Sequence, residues 1–158
     1  LRLGSVYGYS TDTMRLNIMP NLFSKISSQN GTIRLFAGGK QLKSLVPLID
    51  VVRCFKFMEE KEDIKSQIFN VSKDKVTVEQ VADICKKINP KTKIELLVGD
   101  LNGEPELIKE VAQSNINVFS HNIETVERLY PKLRPQGSYQ RALKVLREAL
   151  QYVMERAK

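Results

Sequence analysis

Residues 67–98 read QIFNVSKDKVTVEQVADICKKINPKTKIELLV, and this stretch decides the fold. Apolar runs at 67–71 and 93–98 predict two strands. Between them, Thr77 and Gln80 form the capping-box pattern that starts a helix, and apolar residues then recur on one side of that helix. A strand, a helix and a strand in succession are typical of an α/β protein with a mainly parallel sheet.

The same alternation extends in both directions from this stretch. The spacing predicts further strands at 1–6, 32–36, 42–48 and 117–120. It predicts helices at 21–28, at 50–58, at 104–113 and at 138–157, with a helical turn at 126–129. The Gln29–Asn30–Gly31 sequence ends the first helix, because Asn and Gly tolerate a positive φ. We interpret Asp50 either as the N-cap of its helix or as a neighbour of a ligand.

Composition limits the classes of function. The chain has 158 residues, 42% of them hydrophobic and 27% charged, as in soluble globular proteins. No apolar run is long enough to span a membrane, so we expect no membrane partner. The net charge of +7 is spread along the chain without Trp or interleaved aromatic residues, so we expect no nucleic-acid partner. The start at Leu1 lacks Met and a signal-peptide pattern, and we expect a piece of a longer protein.

Few residues have the chemistry of a catalytic or metal site. Cys54 and Cys85 show no CxxC or Cys/His spacing, so we expect free thiols, no metal site and a cytoplasmic location. The chain has neither a glycine-rich phosphate loop nor a G-x-S-x-G elbow. His121 cannot act as a general base without partners, and we predict no catalytic residue. The polar residues that follow it, Asn122 and Glu124, lie at the end of a predicted strand, where ligand groups gather in α/β folds.

The first part of the chain resembles the C-terminal part of extended short-chain dehydrogenases, the NAD-dependent sugar-nucleotide epimerases and dehydratases. Residues 2–8 (RLGSVYG) resemble the R-x-x-N-V-Y-G strand of that family, and residues 19–22 (MPNL) resemble its proline-started helix. Residues 35–51 contain LFAGG and KSLVPLIDV, which are similar to V-Y-G-D-G and R-D-F-V-x-V-x-D-V. Residues 69–71 (FNV) and 76–78 (VTV) resemble a later strand and the helix start behind it.

This resemblance implies a substrate domain that receives a nucleotide sugar. By the resemblance, Ser5, Asn21 and Lys43 are candidate substrate contacts; Ser5 stands where the family usually has Asn. Lys43 stands where the family has Arg, and this change weakens bidentate binding of a diphosphate. The resemblance also implies NAD, but neither the NAD-binding glycine loop nor the catalytic Tyr-x-x-x-Lys pair occurs in this chain.

The remainder of the chain, from about 91 to 155, resembles lipoyl synthases, which are radical S-adenosylmethionine enzymes on a partial barrel. Residues 93–103 (KIELLVGDLNG) resemble a strand and loop of that family, and residues 118–126 (VFSHNIETV) resemble its N-H-N-x-E-T-V motif. Residues 128–135 (RLYPKLRP) continue the likeness. Residues 138–143 (SYQRAL) are similar to D-Y-x-R-S-L, with departures at Ser138 and Ala142.

This second resemblance implies that Asn122 and Glu124 lie close to S-adenosylmethionine, with Arg141 as a further candidate contact. It also implies iron–sulfur clusters, but the cysteine triads that hold them are absent from this chain.

We therefore expect a composite chain with an α/β fold and a fragmentary parallel-sheet architecture. Residues 1–90 are predicted to be the substrate-domain part of an extended dehydrogenase and residues 91–158 a partial βα-barrel segment, joined between about 81 and 93. The junction is a gene fusion or an assembly artefact. The leading hypothesis is an epimerase or dehydratase fragment that is inactive alone. The alternatives are a lipoyl synthase fragment and a non-enzymatic nucleotide-binding α/β module, which could self-associate through exposed sheet edges. The sequence does not decide whether the chain is an enzyme.

Overall fold

A computed structural model of the chain describes residues 1–64 and 66–156. Within these residues the strands are β1 (Arg2–Leu3), β2 (Ser5–Tyr7), β3 (Thr32–Phe36), β4 (Leu42–Pro47), β5 (Asn70–Val71), β6 (Asp74–Thr77), β7 (Lys93–Val98) and β8 (Val118–His121). The helices are α1 (Met19–Ser28), α2 (Leu48–Glu59), α3 (Val78–Ile88), α4 (Pro105–Gln113), α5 (Tyr130–Leu133) and α6 (Tyr139–Arg156). Short 3-10 turns lie at Ala37–Gly39, Leu101–Gly103 and Glu127–Leu129.

The chain divides into two compact units. Unit 1 comprises Leu1–Gly31 and Lys40–Thr92, and unit 2 comprises Thr32–Gly39 and the residues from Lys93 onward. The predicted division at residue 90 follows family resemblance rather than contacts, and it stays a prediction. The two units differ from the predicted division chiefly because β3, which lies in the epimerase-like residues 1–90, belongs to unit 2.

Unit 1 contains two small sheets. β1 pairs with β5 in parallel, and β4 lies between β2, which is parallel to it, and β6, which is antiparallel. α3 starts with the predicted capping box, since Thr77 Oγ1 accepts from the Gln80 amide and Gln80 Oε1 accepts from the Thr77 amide. α1 ends where the Asn-Gly pattern predicts: Asn30 has a φ of 55°, and the Gly31 amide bonds to the carbonyl oxygen of Ile26 at 2.9 Å.

Unit 2 contains one parallel sheet in the order β3-β7-β8. β7 alternates between exposed or half-buried and buried side chains, and Ile94, Leu96 and Val98 form its buried face. α4 packs along α6. The core of these helices consists of Ile108, Ala112, Val145 and Ala149, and Phe119 of β8 packs against it. The α/β class with mainly parallel sheets is thus confirmed.

Several predicted elements differ from those observed. α2 begins at Leu48 after an extended Pro47, so Asp50 lies in the first turn, and its reading as an N-cap is wrong. Its carboxylate instead pairs with Arg53 and Lys73. Only Asn70 and Val71 of the predicted strand 67–71 pair in a sheet. The antiparallel strand β6 was not predicted. α6 begins at Tyr139, and Ala157 of the predicted helix lies outside the described residues.

The cysteines are free thiols, as expected. Cys54 is half-buried and Cys85 is buried, and burial raises the pKa of the Cys85 thiol. Within residues 1–64 and 66–156, no group of three or more His, Cys, Asp and Glu side chains could hold a metal ion. The helices of the same part of the chain are too short or too polar to cross a membrane.

Candidate functional site

Unit 1 contains a cavity of about 650 Å³ that we name the α1 cavity. Ser5, Asn21 and Lys43, the three residues predicted as substrate contacts, all line it. β2 supplies Ser5, the first turn of α1 supplies Asn21, and β4 supplies Lys43. Because β2 and β4 are neighbouring parallel strands, Ser5 and Lys43 meet in one site although they are far apart in sequence. Arg15 lines the same cavity and was not predicted.

Both polar groups of the Asn21 side chain form hydrogen bonds with the backbone. Its Oδ1 accepts a hydrogen bond from the Gly8 amide at 3.2 Å, and its Nδ2 donates to the carbonyl oxygen of Arg15 at 3.1 Å. Asn21 therefore fixes both ends of the 8–15 loop, which brings Arg15 to the cavity. Its geometry is that of a positioning residue rather than of a direct ligand contact.

Two cationic side chains in the α1 cavity are available to a ligand. Lys43 and Arg15 are both exposed, and neither forms a side-chain ion pair with the residues that the structure describes. The start of α1 also lines the cavity, and it has neither an acidic residue in its first turn nor a side-chain cap. Free amide groups at a helix start favour a negative charge. The electrostatics of the α1 cavity therefore favour an anionic ligand.

Gly4 lines the α1 cavity and lies close to the backbone of β4. A Cβ atom at this position would lie 2.8 Å from the carbonyl oxygen of Ser44 in β4. The absence of a side chain thus allows the backbone before β2 to approach the strand that carries Lys43.

Unit 2 contains a smaller pocket of about 250 Å³ at the carboxyl ends of β7 and β8, which we name the strand-end pocket. Asn122 and Glu124 both line it, together with His121, Asp100 and Arg134. Arg141, the third residue predicted to contact a cofactor, is not among the residues that line it.

The charged side chains of the strand-end pocket are already paired. The Nε and NH2 atoms of Arg141 both lie 2.6 Å from Oδ2 of Asp100, and the Arg141 NH2 group also donates to the carbonyl oxygen of Gln136. Burial alone would raise the pKa of the Asp100 carboxyl, but the hydrogen bonds and charge of Arg141 and the Asn102 amide outweigh burial and lower that pKa. Glu124 pairs with Arg134 at 3.5 Å.

Two features of this pocket depart from ordinary local structure. Glu124 has a φ of 63°, a conformation that L residues rarely adopt. Nδ1 of His121 donates to the carbonyl oxygen of Val98 at 3.0 Å, and its Nε2 atom is buried without a hydrogen-bond partner. A ligand that donates a hydrogen bond could satisfy that atom.

No family model matches the chain. A stretch of 69 residues is 45% identical to the lipoyl synthase of Caldicellulosiruptor saccharolyticus, and this stretch covers 44% of this chain and 24% of that protein. A stretch of 64 residues is 47% identical to the lipoyl synthase of Mycobacterium tuberculosis, and it covers 40% of this chain and 21% of that protein. The chain thus spans about a quarter or less of the length of these relatives.

Solved structures with a similar fold include two epimerases. The UDP-glucuronic acid 4-epimerase of Bacillus cereus, solved with UDP-glucuronic acid and NAD, matches with a TM-score of 0.53 and 15% identity over 98% of this chain and 44% of that chain. The UDP-glucose 4-epimerase of Thermotoga maritima, solved with UDP-glucose, matches with a TM-score of 0.51 and 19% identity over 99% of this chain and 46% of that chain. Both resemblances are confirmed. At these identities, the likeness to the epimerases concerns the fold alone.

Proposed function

We propose that the chain is an epimerase-type fragment that binds a nucleotide sugar in the α1 cavity without converting it. The observation that carries this proposal is the meeting of Ser5, Arg15 and Lys43 in one cavity beside the uncapped start of α1. A diphosphate carries negative charge that two unpaired cations and free helix amides can bind. The solved epimerases with a similar fold contain UDP-glucuronic acid or UDP-glucose, which supports a nucleotide sugar as the anion.

In this proposal each residue has a distinct role. Lys43 supplies a point charge to the diphosphate, because an ammonium group lacks the paired donors of a guanidinium. Arg15, which lines the same cavity, supplies the planar pair of donors of a guanidinium, and Asn21 holds the loop that brings Arg15 there. Ser5 offers a hydroxyl to the ligand.

Two motifs missing from this sequence support the proposed lack of turnover. The solved epimerase complex contains NAD, a cofactor that carries hydride. No G-x-G-x-x-G loop and no Tyr-x-x-x-Lys pair occurs in the 158 residues. The residues of this sequence therefore do not fit NAD. The proposed setting is the cytoplasm, in keeping with two free thiols.

Isothermal titration of the chain with UDP-glucuronic acid, without NAD, tests the binding. We expect saturable binding with one site, and about a tenfold weaker affinity for Lys43→Met and for Arg15→Met, since a charged hydrogen bond contributes about 1.5 kcal/mol or more. Lys75→Met is the matched control, because Lys75 lies on β6, pairs with Ser44 beside Lys43, and does not line the cavity. Absence of saturable binding, or equal losses in Lys75→Met and Lys43→Met, would contradict the proposal.

A second candidate function is favoured by the strand-end pocket. Asn122 and Glu124 line that pocket, as expected for contacts to S-adenosylmethionine, and the unpartnered Nε2 of His121 leaves a hydrogen bond for a ligand. S-adenosylmethionine supplies radical chemistry only with an iron–sulfur cluster. The described residues contain no ligand group for such a cluster, so this candidate is binding alone. Calorimetric titration with S-adenosylhomocysteine tests this candidate. Asn122→Ala should weaken the binding of S-adenosylhomocysteine and leave the affinity for the nucleotide sugar unchanged.

A third possibility, self-association through the outer strands of the unit 2 sheet, is tested in the same samples. β3 and β8 are the outer strands of the unit 2 sheet. Size-exclusion chromatography with light scattering, run at two protein concentrations, would show a mass that rises with concentration if these edges pair between copies.

A further inference from the structure

The sheet of unit 2 combines strands from both resemblances. By the motif resemblances, β3 lies inside the epimerase-like residues 1–90, whereas β7 and β8 lie inside the lipoyl-synthase-like residues from about 91 to 155. We propose that residues 32–37 complete both the sheet and the strand-end pocket of the second segment, so that this pocket is a composite site built from both segments. This inference does not depend on nucleotide-sugar binding in unit 1.

The register between β3 and β7 is continuous over the whole of β3. Five consecutive residue pairs align, from Thr32 with Lys93 to Phe36 with Leu97. The side chains that face the same side are buried in both strands: Ile33 is 0% exposed and its partner Ile94 is 2% exposed. Burying this face removes apolar surface from water on both segments at once, so each strand stabilises the other.

One carboxylate joins the three strands on the opposite face. Oε2 of Glu95 in β7 lies 2.9 Å from Nε of Arg34 in β3, and its Oε1 accepts from the hydroxyl of Ser120 in β8 at 2.8 Å. Burial would raise the pKa of the Glu95 carboxyl, but the hydrogen bonds from Ser120 and Arg34 and the Arg34 charge outweigh burial and lower that pKa. A half-buried carboxylate of one segment thus has a cation of the other as its charged partner.

The strand-end pocket also takes part of its wall from the first segment. Phe36 and Ala37 line it together with Asp100, His121 and Asn122. Both ends of the contributed strand connect to unit 1, at Gly31 and Lys40, so a cut of the chain at residue 90 would leave the second segment without this strand and without this wall. The pocket is therefore a property of the joined chain rather than of the lipoyl-synthase-like residues alone.

Hydrogen exchange of the full chain, followed by mass spectrometry of peptides from β7, α4 and α6, tests the inference. Ile33→Asp places a charge at a fully buried position, and we expect these peptides to exchange at least tenfold faster, because the sheet loses a strand. Thr32→Asp is the matched control: it lies on the exposed face of the same strand, opposite Lys93, and we expect unchanged exchange. Unchanged protection of β7, α4 and α6 in Ile33→Asp would overturn the inference.

A charge exchange keeps the test informative if Ile33→Asp fails to fold. Arg34→Glu places two carboxylates side by side, and we expect about fivefold faster exchange in β3 and β7, as for a cross-strand pair changed from attraction to repulsion. The double variant Arg34→Glu/Glu95→Arg restores opposite charges, and we expect it to recover most of the lost protection. A double variant that exchanges as fast as Arg34→Glu, or faster, would overturn the inference.

Discussion

The α1 cavity and the strand-end pocket both collect polar residues at the ends of strands, yet their charges are arranged in opposite ways. Lys43 and Arg15 in the α1 cavity have no ion-pair partner among the residues described by the structure. In the strand-end pocket, Asp100 is bound by Arg141 and Glu124 by Arg134. The unpaired cations of the α1 cavity can bind an anionic ligand, whereas the paired charges of the strand-end pocket are already bonded within the protein. The comparison therefore favours the α1 cavity as the receptor for an anion.

The largest expected effect is the loss of stability in Gly4→Ala, which we compare with Gly99→Ala in the other region. In Gly4→Ala the new Cβ would lie 2.8 Å from the Ser44 carbonyl oxygen, so β4 must move. We expect a loss of about 2 kcal/mol in the free energy of unfolding, together with weaker nucleotide-sugar binding. Gly99→Ala in the strand-end pocket meets open space, and we expect a change below about 0.5 kcal/mol. Urea unfolding and calorimetric titration measure both; equal losses in the two variants would contradict the geometry.

The second prediction tests the paired and unpaired charges directly. Asp100→Asn removes the charged partner of Arg141, whose guanidinium is about a third exposed, and we expect a loss of about 1 kcal/mol in the free energy of unfolding. Lys43→Met should leave the free energy of unfolding within about 0.5 kcal/mol of the original, because no ion pair is broken. Urea unfolding measures the free energy of unfolding of both variants. A larger loss in Lys43→Met than in Asp100→Asn would reverse the comparison.

The smallest predicted effect is a pH dependence of the stability of unit 2. The folded-state pKa values of Asp100 and Glu95 are lowered, so both carboxyls contribute stability above their unfolded pKa values of about 4. That stability is lost as the pH falls below 4 through the lower folded values. We expect protection of β7 and α6 against hydrogen exchange to decrease on acidification, and to decrease less in Asp100→Asn. An equal decrease in the variant would show that Asp100 does not contribute.

The sequence predicts structure well where the cause is local. The capping box of Thr77 and Gln80 and the Asn30–Gly31 helix end depend on residues within one turn, and both are observed. β6 was missed because it forms through an antiparallel pairing with β4 that no local pattern indicates. The short β1 and β5 likewise exist through their mutual pairing.

The candidate sites show the same limit. The motif resemblance named Ser5, Asn21 and Lys43, which the structure brings into one cavity, and their role as substrate contacts stays a prediction. The resemblance could not show that the Asn21 amide is already bonded to the backbone. Arg15 was missed because its approach depends on the 8–15 loop. The pairing of Arg141 with Asp100 joins residues 41 positions apart, which no spacing rule reveals.

Hydrogen exchange of the full chain with and without UDP-glucuronic acid tests the central claim most directly. We predict slower exchange in β2, in the first turn of α1 and in β4 when the nucleotide sugar is present, with no change around Asn122 and Glu124. No change at saturating ligand, or slower exchange confined to the strand-end pocket, would contradict the assignment of the α1 cavity as the nucleotide-sugar site.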